Sequence, residues 1–97
     1  MKTNRELAQE MLDKGLHLIP PHMHEGVQRY VMDGVPMGNF GTAVFSNNFM
    51  RTCRAADDIN RAALFNWAQF LYSYVPIGCH GSLADVEHWI DNGGVHD

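Results

Sequence analysis

The sequence predicts an all-α protein, a compact bundle of about five short helices forming a single domain over residues 1–97. Three observations predict it. Ser, Thr, Asn or Asp opens most apolar-periodic segments, and Gly or Pro closes most of them. Within the segments apolar residues recur at three- and four-residue spacing, the period of one helix face. No segment alternates apolar and polar residues in the manner of a half-buried strand.

Thr3 followed by Glu6 is a capping box, in which hydroxyl and carboxylate satisfy each other's orphan backbone donors. Leu7, Met11 and Leu12 give the first helix a short stripe, and Gly15 is expected to end it as a left-handed cap. "LHLIPP" then reads as an extended linker, because a residue before proline is pushed out of helical geometry. A second helix starts at Pro21, where the absent N–H costs nothing. It carries Met23, Val27, Tyr30 and Val31 on one face and stops at Gly34. Asn39 is expected to cap a third helix that runs to about Arg54, with Phe40, Val44, Phe45 and Phe49 as its stripe. Asp57 or Asp58 caps the fourth, where a carboxylate also suits the positive helix end. That helix runs to Val75 before Pro76. Ser82 with Asp85 opens the last helix, in which Val86, Trp89 and Ile90 face inward ahead of Gly93 and Gly94.

The fourth helix holds half of the chain's aromatic residues. Leu64, Trp67, Leu71 and Tyr74 line one face, Phe65, Ala68 and Tyr72 a second, and Phe70 lies between. A helix apolar nearly all round must be buried nearly all round. Either it is the centre of the bundle, or its spare face meets a second copy. The sequence leans to the second, a homodimer with Phe65 or Tyr72 near its axis.

Bulk composition narrows the function classes. The apolar share of 45% is that of a globular protein, and 97 residues suffice for one core without disulfides or metal. A formal charge of −4, with seven scattered basic residues, argues against non-specific nucleic-acid binding, which rests on clustered Lys and Arg. Eleven carboxylates diluted by those cations argue equally against an acidic mimic of DNA. Cys53 and Cys79 stand apart in no metal-like spacing and read as reduced thiols, hence cytoplasmic. The charged N-terminus is not a signal peptide, and no apolar run approaches membrane-spanning length.

Four groups invite chemistry, and each has a plainer reading. The glycines of "VPMGNFGTAVFSNN" lack the preceding strand and following lysine of a phosphate loop, so the stretch reads as a helix-pair corner with Gly41 allowing close approach. His22 and His24 point roughly 200° apart on a helix and do not share one ion. Cys79 in "PIGCHGS" precedes a helix start, where a thiol's pKa falls, but adjacent His80 rarely points at it; the residue reads as a structural cysteine in a tight turn. Asp57 and Asp58 fit a helix start, and Asn60 and Arg61 are placed to bridge to another helix. No metal, cofactor or catalytic residue is expected.

The series "IPPHM", "RYVMDGVPMGNFGTAVFSNN", "ADDINRAALF", "FLYSYVPIGCHGS" and "VEHWI" resembles a set of small, mostly uncharacterised bacteriophage and prophage proteins, over residues 19–90. Gly41 departs from the usual leucine of that pattern and His80 from the usual tryptophan. The resemblance implies a helical fold and a phage-encoded accessory role, and brings no catalytic residues. The expectation is a non-catalytic protein that binds a host protein or complex in the bacterial cytoplasm, for example as an anti-defence factor such as an anti-CRISPR. Candidate anchors are Arg29, Tyr30, Arg51, Arg54 and the aromatics Phe65 and Tyr72. The alternative is an oligomer that sequesters a small ligand such as a nucleotide signal, using Tyr30, Asn47, Asn48 and Arg51.

Overall fold

The computed structural model describes residues 1–97 and is all-helical. Seven α-helices are present where five were expected: α1 (Asn4–Gly15), α2 (His24–Asp33), α3 (Asn39–Phe45), α4 (Phe49–Ala55), α5 (Asp58–Ala62), α6 (Leu64–Ser73) and α7 (Leu83–Asp91). Two 3-10 turns, Leu16–Leu18 and Pro21–Met23, lie between α1 and α2. No helix is long and apolar enough to cross a membrane.

The two additional helices come from splitting two long segments. The expected third helix breaks at Asn47, whose φ of 61° is left-handed, and Asn48 then caps α4 by accepting from the Arg51 N–H at 3.0 Å. Asparagine tolerates that backbone region better than other residues with a Cβ. The expected fourth helix is interrupted at Ala63 (φ −103°, ψ 10°), where the chain shifts course between α5 and α6.

Caps at Thr3, Asp57 and Ser82 form as the sequence implies, the first as a full capping box. Asn39 does not cap α3: Gly38 occupies that position and no side chain closes the helix end. Gly15 is not a left-handed cap either, since its φ is −109°. Its missing Cβ instead admits Tyr74, whose Cβ lies 2.4 Å from where a Gly15 Cβ would stand. Gly41 meets the Met37 side chain rather than a neighbouring helix backbone. Gly34 does end α2 in the left-handed region, at φ 70°.

One continuous core joins Leu12 of α1, Val27, Tyr30 and Val31 of α2, Phe40, Val44 and Phe45 of α3, Trp67 and Phe70 of α6, and Val86 of α7. Trp67 is fully buried and makes edge-to-face contacts with Phe40 and Phe70, at centroid distances of 5.5 and 6.1 Å. Its indole N–H donates to Asn60 Oδ1 at 3.1 Å, so a buried amide in α5 ties down α6 across the Ala63 break. The first and last segments close on one another. The Arg5 guanidinium donates to the Met32 and Val95 carbonyls and pairs with Asp33. The N-terminal helix is thus an integral part of the packing.

Candidate functional site

Two recesses flank the α3–α4 corner and share Asn48. The first is an apolar groove of about 350 Å³ between α4 and α6. Its floor is Val44, Leu64, Trp67 and Leu71, and its rims are Phe49 of α4 and Phe65 of α6. Phe49 is 72% exposed and Phe65 85%, although each carries a full phenyl ring. Phe65 continues through Ala68 to Tyr72, 91% exposed, along the outer edge of α6. The spare face read from the sequence is therefore uncovered in the single chain. Covering it would bury large side chains that yield roughly 1.5–3 kcal/mol apiece when fully removed from water.

The second recess is a polar cleft of about 460 Å³ on the other side of the corner, walled by α3, α4 and the start of α7. Asn39, Thr42 and Ser46 line it from α3 and its C-cap, Asn48, Arg51 and Arg54 from α4 and its N-cap. Ala43, Ala55 and Leu83 supply the apolar part. Arg51 and Arg54 are three residues apart on α4, which places them on one face.

The candidates read from the sequence divide among these places. Asn48, Arg51 and Arg54 meet in the polar cleft; Asn47, Asn48 and Phe65 meet in the apolar groove; Tyr72 stands beyond the groove on α6. Arg29 is exposed on α2, joins neither recess, and pairs with Glu25 one turn earlier. Tyr30 is a correction. It is fully buried, its hydroxyl donates to the Cys79 carbonyl at 2.6 Å, and its ring packs edge-on against Phe45. Burial, with smaller contributions from Cys79 and Asp85, holds its pKa far above the ordinary phenol value. It anchors the 76–82 loop to the core and offers nothing to a partner.

Sequence reading missed Asn39, Thr42 and Ser46 as cleft walls, because they were assigned to capping or to the turning of a continuous helix. It also missed Phe49 as an exposed rim, since the unbroken helix turned that residue inward. The adjacent asparagines at 47 and 48 were the available signal for the break that exposes it.

Cys79, His22 and Asp57 are tied into the packing. Cys79 is buried and desolvation pushes its thiol up to about 12, so it is neutral at physiological pH. His22 Nε2 lies 3.0 Å from Asp57 Oδ2 and 3.4 Å from Asn60 Nδ2, so it joins the polar network that also holds Trp67. The Asn60 backbone N–H, and secondarily His22, hold the Asp57 carboxyl below its usual range. No three His, Cys, Asp or Glu side chains gather in a metal-ligating group. Neither family models, curated proteins nor solved structures give a match to this chain.

Proposed function

We propose that this chain is a non-catalytic binding protein that engages a host protein or complex through the apolar groove and the outer edge of α6. The observation that carries the reading is the exposure of Phe49, Phe65 and Tyr72 around a groove whose floor is core side chains. Exposed apolar patches of this kind mark interaction sites on soluble proteins, and buried aromatic anchors are the residues that carry binding energy once covered. The floor is held by Trp67 and its hydrogen bond to Asn60, which supports a groove already formed before a partner arrives.

The resemblance of residues 19–90 to phage and prophage proteins supports a phage-encoded role in the host bacterial cytoplasm. It makes a component of host defence, such as a CRISPR effector, the first partner class to test. In the free protein the same strip is proposed to meet its own copy about a twofold axis near Phe65 and Tyr72, since a self-complementary patch is the commonest way to cover such a face.

The test is affinity capture from a bacterial lysate with the wild-type chain and with Phe65→Asp side by side. One host protein retained in stoichiometric amount by the wild type, and lost with the folded variant, is expected. Equal retention by both, or no stoichiometric partner, would overturn the reading.

A further inference from the structure

We propose that the polar cleft walled by α3 and α4 binds a phosphate-bearing small molecule, a capacity separate from the protein contact above and independent of it. The charge distribution is the first support. Of the seven Lys and Arg side chains, Lys2, Arg5, Arg29 and Arg61 are each paired with a carboxylate. Lys14, Arg51 and Arg54 have no carboxylate partner; Lys14 stands alone in the last turn of α1, while Arg51 and Arg54 both line this one cleft. No Asp or Glu lines it with them. In a chain of net charge −4, two uncompensated guanidinium groups on one helix face repel each other, and an oxyanion between them reverses that repulsion.

A neutral donor points the same way. Ser46 belongs to the cleft wall, but its Oγ is closed off from solvent and takes no part. Asn48 accepts the Arg51 N–H through its Oδ1, and its Nδ2 makes no hydrogen bond within the chain. Guanidinium forks and an amide N–H form a donor set that matches phosphate oxygens. No aromatic residue lines the cleft, so base stacking contributes nothing and recognition falls on the phosphate. A volume of about 460 Å³ lies within the range of small-molecule sites and leaves room for more than the anion itself.

The experiment is a titration of the full chain at constant ionic strength with inorganic phosphate, pyrophosphate, AMP and adenosine, read by calorimetry and by thermal shift. Saturable binding of at least one of the three phosphate-bearing probes is expected, with no binding of adenosine. AMP tighter than inorganic phosphate assigns the cleft to a phosphate ester; equal affinity assigns it to the free oxyanion. Arg51→Gln and Arg54→Gln should each weaken the bound probe by at least about tenfold, the usual consequence of losing a charge-assisted hydrogen bond. The double variant should abolish binding. No saturable binding by any phosphate-bearing probe, adenosine binding as well as AMP, or unchanged affinity in the double variant would overturn the proposal. Should the variants fail to fold, amide chemical shifts of the wild type decide. Changes confined to residues 39–55 and the start of α7 around Leu83 support the site, and changes elsewhere refute it.

Discussion

Replacing Trp67 by phenylalanine tests how the groove floor is held. The substitution keeps a ring against Phe40 and Phe70 and deletes the indole N–H that donates to Asn60 Oδ1 at 3.1 Å. Asn60 is itself buried, so its oxygen is left without a partner and away from water. An orphaned buried acceptor costs about 1–3 kcal/mol, and the smaller ring leaves a further loss of roughly 1 kcal/mol at a fully packed position. The expected total is about 2–4 kcal/mol, out of roughly 5–15 kcal/mol for a domain of this size. At about 4–8 °C per kcal/mol, the melting temperature should fall by roughly 8–30 °C. Urea unfolding of Trp67→Phe, Asn60→Leu and the double variant isolates the hydrogen bond from the packing. The double variant removes donor and acceptor together, so its loss should be smaller than the sum of the singles by about 1 kcal/mol or more. Additivity within about 0.3 kcal/mol would refute the reasoning, because it would mean that the two side chains are not coupled across Ala63.

Other substitutions probe the packing around Gly15, the two thiols and the outer edge of α6. Gly15→Ala should destabilise by about 1–3 kcal/mol, against the usual gain of alanine in a helix, because its Cβ would stand 2.4 Å from Tyr74 Cβ; an unchanged urea midpoint contradicts the close approach. Of the two thiols, half-buried Cys53 should react with a thiol reagent in the native state while Cys79, buried with its thiol pushed up to about 12, reacts only on unfolding. Two equal rates would contradict that burial. Tyr72→Glu should leave helicity intact and convert a dimeric mass to a monomeric one in light scattering at micromolar concentration; an unfolded variant would place Tyr72 in a core, against its 91% exposure.

The parts of the fold legible in the sequence are those fixed by local chemistry. Thr3 with Glu6, Asp57, Ser82 and Gly34 act over a few residues through hydrogen bonds or a left-handed φ, and each stands where local rules place it. Trp67 as core and Phe65 with Tyr72 as a second, outer line follow from helical period alone. What escaped depends on distant partners. Gly15 resembles any helix-ending glycine until Tyr74, fifty-nine positions later in the chain, is seen against it. Tyr30 resembles a surface anchor next to Arg29 until the Cys79 carbonyl closes on its hydroxyl. The Ala63 interruption carries no glycine or proline, and it coincides with the long-range burial of Asn60 beneath Trp67. The polar cleft was legible only in part. Arg51 and Arg54 share a helix face by spacing, but Asn39, Thr42 and Ser46 reach them only because Asn47 turns the chain back.

The surface between α4 and α6 is proposed as the place where this protein meets its partner. Amide hydrogen exchange, compared between the free chain diluted to its monomer and the complex captured from lysate, is the measurement that decides. Added protection confined to about residues 47–53 and 64–72 is expected, with α1 and the 84–95 segment unchanged. Added protection on α1 or α7, with residues 64–72 exchanging as in the free chain, would contradict it.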